Sequence, residues 1–515
     1  MLKLIGLKPR TYQESIAKTA KDKSTLVVLP TGLGKTAIAL MVAVERINKF
    51  KGSQILLLSP TKPLINQHYE TFKRHISGLD QDAFTLVTGE VSPKKRKLIW
   101  NSATFIFSTP QCVANDLRSG RMNLKNFSLL VEDEAHRCIK NYDYTYVARA
   151  YKEQAEHPLI LGLTASPGSD STKINQVCKN LNIQAVEVRT RESRDVSPYI
   201  KKLKTELVKI ELPEKFKGIR THFHKILEKR IEELKHRGLL YTKRINKRTF
   251  IELQSKLMRS SASGNKHFQV LKGISLLAEI LKIQHAIELL ETQSIYSLNK
   301  YIENLEKDAK AEKSKAVKNL FKNIDFQLAY EKIKNLIKRD EEHPKLKRLL
   351  AIVKKETKNP KNKVIVFVQY RTTVNKINDE LRKAKIKSKI FIGQRGERGL
   401  KQKEQQSIIK EFSEGKINCL VATSVGEEGL DIPEVNTVIF YEPIPSEIRK
   451  IQRAGRTARL KPGKLIILIT KGTRDESYHY AAYYKEKKMY GILQGLKQDF
   501  EKKGRKQLSL KDFKL

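Results

Sequence analysis

The chain has 515 residues, of which 101 are Lys or Arg and 56 are Asp or Glu, so its formal net charge is +45. This length predicts about three domains. The positive excess argues against a neutral surface and favours a polyanionic partner, above all nucleic acid or an anionic membrane surface. The alternative is a lysine-rich surface suited to a salty or hot habitat, but Glu usually rises with Lys in such proteins, and here it does not.

Scattered cysteines and short apolar runs exclude two other classes. The four cysteines form no C-x-x-C pair, which argues against a zinc site or a disulfide framework and favours a reducing interior. No apolar run approaches the ~18 residues of a membrane span. We expect a soluble intracellular protein with no membrane partner.

Apolar, β-branched runs without polar alternation predict parallel strands buried on both faces. Six lie in the first third of the chain: 25–30, 54–60, 84–89, 103–110, 127–134 and 159–166. Five more lie towards the end: 363–370, 388–393, 417–424, 437–443 and 464–470. The pattern predicts two α/β lobes with functional loops at the carboxyl ends of the strands.

Between the lobes, the sequence predicts long helices rich in Lys, Arg, Glu and Leu. After about residue 477 it predicts one further helix, which we expect Gly504 to end. The predicted domains are a first lobe over 1–200, a helical basic insert over 201–335, a second lobe over 336–480, and a C-terminal helix with a tail over 481–515.

The stretch "LPTGLGKT" (29–36) lies between a predicted strand and a predicted helix, as a phosphate-binding loop requires. Leu29 stands where the usual pattern has glycine. Gly32 and Gly34 would let the backbone approach phosphate. Lys35 could span the β- and γ-phosphates, and Thr36 could bind Mg²⁺. The predicted ATP-binding residues here are Thr31, Gly32, Leu33, Gly34, Lys35 and Thr36.

A buried strand ends in two acids in "LLVEDEAH" (129–136). Asp133 could hold Mg²⁺, and Glu134 could act as general base towards the attacking water. The alternative is a surface acid pair. A zinc protease is excluded because the chain has no H-E-x-x-H.

A third element, "YEPIPSEIRKIQRAGRTARL" (441–460), belongs to the second lobe. Gln452, Arg456 and Arg459 are spaced by four and three residues, so one helix could present all of them on one face. Arginines aimed at a γ-phosphate stabilise charge in the transition state. We therefore expect ATP between the lobes, and hydrolysis to change the contact between them.

These stretches, with "TAS" (164–166) and "ATSVGEEGLDIP" (422–433), resemble motifs I, II, III, V and VI of the superfamily-two helicases. The resemblance implies two RecA-like parallel-sheet lobes with an all-helical domain inserted between them, and ATP with Mg²⁺ as cofactors. "RTYQ" (10–13) is similar to the upstream glutamine motif, which implies that Gln13 reads the adenine edge and Arg10 supports it. The resemblance to the helicase motifs further implies ATP-site roles for Gly429 and Asp431 and coupling roles for His136, Thr164 and Ser166.

The resemblance also places nucleic-acid contacts in loops at the strand ends. Contacts of this type hold the backbone without reading sequence. They are Pro60, Thr61, Lys62, Thr88, Gly89, Thr109 and Pro110 in the first lobe, and Gln369, Tyr370 and Thr423 in the second. Four cations of the insert could grip a branch or duplex, or could merely solvate a helix face: Lys243, Arg244, Lys247 and Arg248.

The helical insert, the stretch "RESRDVSPYI" after the first lobe and the motif V–VI region resemble archaeal Hef and its eukaryotic counterpart FANCM, which remodel forked and branched DNA. Dicer and RIG-I-like double-stranded-RNA ATPases form the neighbouring branch. Hef often carries a nuclease module. We see no E-R-K-x-x-x-D in this chain and expect no nuclease activity from it.

The tail "QLSLKDFKL" (507–515) resembles a box that binds the PCNA sliding clamp, through Gln507, Leu510 and Phe513. A full box has a second aromatic residue where Lys514 stands. The alternative is a frayed terminus.

Three functions remain open from the sequence. The leading one is an ATP-dependent DNA helicase or translocase acting on forked or branched DNA in replication-fork repair. The second is a double-stranded-RNA-stimulated ATPase, and the third is a clamp-tethered remodeller of duplex DNA that does not separate strands. We expect a monomer in the cytoplasm of an archaeal-type cell, associated with the nucleoid.

Overall fold

In the computed structural model, the apolar runs of the first third of the chain form strands of one sheet. The structure describes residues 1–201, 203–242, 245–264, 267–394, 399–423, 432–457 and 462–511, with backbone only over 503–511. The strands of the first lobe are β1 (Lys3–Leu4), β2 (Thr25–Val28), β3 (Gln54–Leu58), β4 (Ile76–Ser77), β5 (Phe84–Val87), β6 (Phe105–Ser108), β7 (Phe127–Asp133), β8 (Ile160–Thr164) and β9 (Ala185–Val188).

The main sheet of this lobe has the order β5-β6-β3-β7-β8-β2-β9, and its neighbouring strands are parallel. All carboxyl ends therefore meet at one edge, and the loops after them lie side by side. Strands β1 and β4 form a separate antiparallel pair.

Helices cover both faces of this sheet, and each face has its own apolar core. They are α1 (Thr11–Ala20), α2 (Lys35–Lys49), α3 (Lys62–His75), α4 (Pro93–Ser102), α5 (Pro110–Arg118), α6 (Asp143–Gln154) and α7 (Ser171–Asn180). Proline occupies the first turn of α3, α4 and α5, where its missing N–H costs no hydrogen bond.

The insert consists of helices packed around two apolar clusters. They are α8 (Glu214–His236), α9 (Lys247–Ala262), α10 (Phe268–Thr292), α11 (Ile295–Lys310), α12 (Lys315–Lys322) and α13 (Ile324–Lys338). Helix α10 has little amphipathic character because other helices and the second lobe surround its C-terminal half, where every residue from Ala286 to Thr292 is buried.

The second lobe is again a parallel sheet with helices. Its elements are β10 (Leu203–Ile210), α14 (Pro344–Glu356), β11 (Val364–Phe367), α15 (Arg371–Lys383), β12 (Ser388–Phe391), α16 (Gln402–Ser413), β13 (Cys419–Ala422), β14 (Thr437–Phe440), α17 (Glu447–Ala454) and β15 (Gly463–Thr470). The strand order is β10-β15-β14-β11-β13-β12. The predicted fold class, two parallel-sheet lobes around a helical insert, is confirmed.

Strand β10 corrects one predicted boundary. We expected the helical insert to begin at 201, but residues 203–210 pair with β15 along its whole length and extend the second sheet. The sequence did not predict this strand because β10 lies at the sheet edge. Four consecutive residues of its eight are exposed, so it has neither an uninterrupted apolar run nor a regular alternation of polar and apolar residues.

The last helix, α18 (Arg474–Lys511), joins the two lobes. It begins against the second lobe, and its Met489 and Leu493 are buried in the core of the first. Lys497 forms an ion pair with Glu187 at 3.2 Å. The helix therefore begins before the predicted boundary at 481, and it continues through Gly504, which we expected to end it.

The tail residues predicted to bind a clamp are Gln507, Leu510 and Phe513. The side chains of Gln507 and Leu510, and all of Phe513, lie outside the described residues.

Two findings bear on the cysteines and on membranes. All four cysteines are buried and unbridged. Across the described part of the chain, no helix combines the length and the apolarity needed to cross a bilayer.

A buried ion pair fixes the start of α18 to the second lobe. Lys345 and Asp475 contact each other, and neither side chain is exposed to solvent. Lys345 Nζ also donates to the carbonyl of Thr292 at the end of α10, at 3.2 Å. One ammonium group thus joins the second lobe, the insert and α18.

We predict that Lys345→Met lowers the free energy of unfolding by about 3–5 kcal/mol, because Asp475 is left buried without its charge partner. Burial already raises the pKa of Asp475, and Lys345 counteracts that rise. Without Lys345, Asp475 favours its protonated form in the folded protein. The free energy of unfolding of the variant should therefore be retained at low pH and fall as the pH rises. Urea unfolding at several pH values measures this. Lys347→Met, an exposed change on the same helix, is the control, and equal stability of the two variants would contradict the prediction.

Candidate active site

The loop between β2 and α2 has the backbone of a phosphate-binding loop. Gly32 and Gly34 take φ values of 85° and 79°, in the left-handed region that favours glycine. Helix α2 begins at Lys35, so its first N–H groups face the loop and can bind an anion. Lys35 Nζ donates to the carbonyl of Leu29 at 3.2 Å, which holds the ammonium group over the loop.

Gln13 supports this loop from beneath. Its Nε2 donates to the carbonyl of Leu33 at 3.1 Å, and its Oε1 accepts from the backbone N–H of Arg10 at 2.9 Å. A Cβ on Gly34 would lie 2.3 Å from Gln13 Nε2, so any larger residue there would have to displace the Gln13 side chain. The predicted adenine contact of Gln13 and the supporting role of Arg10 remain predictions.

Two tyrosines, to which we gave no role from the sequence, lie beside Arg10 and Gln13. Tyr12 is fully buried, and its hydroxyl donates to the carbonyl of Leu33 at 2.7 Å. Tyr199, in the segment after the first lobe, packs edge-on against Tyr12 and lies under the Arg10 guanidinium. Tyr12 is visible in "RTYQ", but no local signal places Tyr199 beside it.

Strand β7 delivers Asp133 to the same edge of the sheet. His68 Nε2 donates to Asp133 Oδ2 at 3.0 Å, and both side chains are buried. Burial alone would raise the pKa of Asp133, but the hydrogen bond and charge of His68 and the charge of Lys35 hold that pKa below its ordinary value. Asp133 is therefore a carboxylate near Lys35. We gave His68 no role from the sequence, although it closes "SPTKPLINQH".

Glu134, Thr164 and His136 form a connected group beyond Asp133. Glu134 has a φ of 54°, and its buried Oε2 makes no hydrogen bond, although it lies 3.3 Å from His136 Nδ1. His136 Nδ1 and Thr164 Oγ1 share a hydrogen bond of 3.1 Å. Ser166 joins through its backbone N–H, which donates to Thr164 Oγ1 at 3.2 Å. The structure therefore brings the three predicted coupling residues together.

Ser166 also contacts α18, which the sequence did not suggest. Its hydroxyl donates to Met489 Sδ at 3.0 Å. Since α18 begins on the second lobe, the group formed by His136, Thr164 and Ser166 touches a helix that reaches both lobes.

The residues present suit ATP and Mg²⁺. Gly32 and Gly34 have positive φ values, and the helix N-terminus that follows them offers backbone N–H groups to phosphate. Thr36 and Asp133 offer a hydroxyl and a carboxylate, the oxygen donors that Mg²⁺ prefers. The unbonded Oε2 of Glu134 is free to accept a proton from water.

The second lobe reaches this site through α17. Gln452 and Arg456 are both buried, at 3% and 7% exposure. A Cβ on Gly455 would lie 2.7 Å from Thr31 Cβ, so the end of α17 packs directly on the phosphate-binding loop. Arg459, Gly429 and Asp431 lie outside the described residues.

Arg453 is a further buried arginine that we did not predict to have a role. It is 2% exposed, and its guanidinium lies over the rings of Phe367 and Phe440. Burial raises the pKa of Glu442 to about 7, although the charges of Lys345 and Arg453 act to lower it. The sequence pattern could not distinguish Arg453 from its neighbours because it lies between the predicted Gln452 and Arg456.

The first-lobe candidates for nucleic-acid contact occupy one half of the sheet edge. Pro60, Thr61 and Lys62 follow β3, Thr88 and Gly89 follow β5, and Thr109 and Pro110 follow β6. In the sheet order these three strands are neighbours, whereas the phosphate loop, Asp133 and Thr164 belong to β2, β7 and β8.

The second-lobe candidates for nucleic-acid contact make hydrogen bonds within the protein. Thr423 is buried, and its N–H donates to the carbonyl of Phe391. The N–H of Gln369 donates to Glu442 Oε1 at 2.5 Å. The hydroxyl of Tyr370 donates to Glu288 of the insert at 3.0 Å. In this structure Tyr370 thus contacts the insert.

Two of the four predicted cations of the insert can be described. Lys247 Nζ donates to Glu288 Oε2 at 3.2 Å, and Arg248 Nε donates to Glu252 Oε1 at 2.6 Å. Lys243 and Arg244 lie outside the described residues.

Three family models match this chain. "DEAD/DEAH box helicase" matches residues 10–174, and "Helicase conserved C-terminal domain" matches residues 344–461. "Putative ATP-dependent RNA helicase, helical bundle" matches residues 215–343. The structure is similar to the crystal structure of the Pyrococcus furiosus Hef helicase domain, with a TM-score of 0.72 and 44% identity over 92% of this chain and 98% of that one. The chain belongs to the superfamily-two helicases.

Curated relatives of this helicase come from archaea and eukaryotes. "Putative ATP-dependent RNA helicase MJ1505" of Methanocaldococcus jannaschii is 40% identical over 96% of this chain and 62% of its own length. "ATP-dependent DNA helicase mph1" of Neurospora crassa is 32% identical over 92% of this chain and 42% of its own length. "Fanconi anemia group M protein homolog" of Mus musculus is 32% identical over 95% of this chain and 26% of its own length. The helicase thus spans less than two thirds of these relatives.

These comparisons confirm the predicted family, a helicase similar to Hef and FANCM, and the ATP-hydrolysing activity that it implies. The roles assigned to individual residues stay predictions, supported by the geometry above.

We predict that Gly34→Ala weakens ATP binding by about tenfold or more, because the new Cβ would displace Gln13 from the loop. Gly52→Ala is the matched control, since Gly52 has the same φ of 79° as Gly34 but no atom within 4 Å of its added Cβ. Both changes should cost about 1–2 kcal/mol of stability through the left-handed backbone. Equilibrium binding of a fluorescent ATP analogue measures the difference, and equal affinity of both variants would contradict it.

Proposed function

We propose that this helicase uses ATP hydrolysis to move along DNA and to open or remodel forked and branched DNA in repair. The observation that carries the proposal is the order of the first sheet. Strands β2, β7 and β8 deliver the nucleotide residues, and β5, β6 and β3 deliver the nucleic-acid candidates. Because β3 and β7 are neighbours, the two groups of loops meet along one edge.

Hydrolysis would use groups from both lobes. Lys35 binds the β- and γ-phosphates, and Glu134 accepts a proton from the attacking water. Thr36 and Asp133 would hold Mg²⁺, which would neutralise phosphate charge. Arg456 approaches from the second lobe and stabilises the charge of the transition state.

Motion would follow from the contact between the lobes. Gly455 packs on Thr31, so loss of the γ-phosphate alters the surface on which α17 rests. A ligand that binds one arrangement of the lobes more tightly shifts the population towards that arrangement. Nucleic acid held by loops of both lobes would then be gripped and released once per cycle.

Charge and names of relatives support DNA as the substrate. The net charge of +45 favours the phosphate backbone, and the fungal relative is named a DNA helicase. Contacts that follow strand ends read no bases, so we expect weak sequence preference and a steep dependence on salt.

RNA is the second candidate substrate, and a specific observation favours it. The archaeal relative and the family model of the insert both carry RNA helicase in their names. A third candidate activity is movement on duplex DNA without strand separation.

An ATPase assay with single-stranded DNA, duplex DNA, forked DNA and duplex RNA separates the first two candidates. We predict that forked DNA gives the largest stimulation. Stimulation by duplex RNA alone would contradict the proposal. Displacement of a labelled strand from the fork then distinguishes strand separation from movement on an intact duplex.

Lys35→Ala tests the site itself in the same assay. We predict that hydrolysis falls by at least about a hundredfold, since the variant loses the cation that spans the transferred phosphate. Lys23→Ala, an exposed change six residues before the loop, is the control. Turnover by Lys35→Ala at the rate of this control would show that the loop is not the ATP site.

A further inference from the structure

One buried carboxylate, Glu288, lies where the insert, the second lobe and α18 meet. It belongs to α10 and is 3% exposed. Its Oε1 accepts from the hydroxyl of Tyr370 at 3.0 Å. Its Oε2 accepts from Lys247 Nζ at 3.2 Å and lies 3.6 Å from Arg474 Nη1. Each of these three partners belongs to a different element.

Packing alone does not account for a glutamate at this position. The neighbouring residues Ile287, Leu289 and Leu290 are buried in the apolar core of the insert. A carboxylate taken out of water is costly unless nearby charges and hydrogen bonds compensate it. Here two cations and one hydroxyl do so, and together they tie α9, the second lobe and α18 to α10.

Two of the partners are predicted nucleic-acid contacts. Lys247 has a side chain that is 49% exposed, so one edge of it faces solvent while its Nζ reaches Glu288. Tyr370 lies in the loop after β11, and its ring packs against His285 of α10 at 5.5 Å. Glu288 therefore contacts a residue of the insert that could bind phosphate and a residue of the loop predicted to contact nucleic acid in the second lobe.

The loop that carries Tyr370 is held from two sides. The insert holds it through Glu288, and Glu442, after β14, accepts from the N–H of Gln369. The loop is therefore hydrogen-bonded to α10 on one side and to the segment after β14 on the other. The third partner, Arg474, begins the helix that continues to Met489 and the first lobe.

We propose that Glu288 is a positioning residue that couples the grip of the insert on DNA to the second lobe, and so to ATP hydrolysis. When a phosphate draws Lys247 outward, Glu288 loses part of its charge compensation. It then strengthens its contacts with Tyr370 and Arg474. This inference rests on the proposed function, since it needs DNA to stimulate the ATPase.

Glu288→Gln tests the coupling, because it keeps the shape and removes the charge. We expect the ATPase rate without DNA to stay at the wild-type level and the maximal DNA-stimulated rate to fall about fivefold or more. The DNA concentration for half-maximal stimulation should fall about twofold, since Lys247 loses its internal competitor. A merely structural defect would instead lower the rate without DNA and weaken DNA binding.

Glu331→Gln is the matched control. It removes an exposed carboxylate from α13, another helix of the insert, and it should leave all three quantities unchanged. Full maximal stimulation in Glu288→Gln, or an equal loss of rate with and without DNA, would overturn the inference. If the wild-type protein shows no stimulation by DNA, the proposed function fails first and the two failures are distinguished.

Tyr370→Phe keeps the test decisive if Glu288→Gln does not fold. It removes only the hydroxyl that donates to Glu288, and it should lower the maximal DNA-stimulated rate. Combined with Glu288→Gln it should add little, because both changes break the same contact. A wild-type maximal rate in Tyr370→Phe, or additive losses in the double variant, would contradict the coupling.

Discussion

Two glycines allow close packing against the predicted phosphate-binding loop where any side chain would collide, and the architecture of the candidate nucleotide site depends on these two contacts. Within the first lobe, a Cβ on Gly34 would collide with Gln13. Between the lobes, a Cβ on Gly455 would collide with Thr31. The first glycine shapes the loop, and the second allows α17 to rest on that loop. Arg456 can therefore serve a nucleotide whose phosphates are bound by the other lobe.

The order of the parallel strands separates two groups of loops in the first lobe. The loops predicted to bind nucleotide and those predicted to bind nucleic acid occupy adjacent halves of one sheet edge, and β3 and β7 form the boundary between them. Buried polar contacts then join the remaining parts. Ser297 and Thr373 share a hydrogen bond of 2.9 Å between the insert and the second lobe, and α18 packs on both lobes. The insert is thus attached to the second lobe by hydrogen bonds as well as by apolar packing.

Much of this was predictable from the sequence, for physical reasons. Strands buried on both faces leave uninterrupted apolar runs, and all eleven predicted runs became strands. The site residues of the first lobe follow strand ends, so their convergence could be predicted. Strand β10 was missed because an exposed edge strand lacks such a run. Tyr199, His68 and Glu288 were missed because their partners are distant in sequence, and only the folded chain brings them together. The helix that continues through Gly504 shows that one glycine weakens a helix without ending it.

The proposed function requires an ATP site completed by residues of both lobes, and Arg456→Ala tests this requirement most directly. Rapid-quench hydrolysis and ATP binding should be measured in parallel, with Arg449→Ala, an exposed change on the preceding helix α17, as control. We predict that Arg456→Ala binds ATP within about tenfold of the wild-type affinity but hydrolyses it about a thousandfold more slowly. Hydrolysis at the rate of the Arg449→Ala control would contradict a site shared between the two lobes.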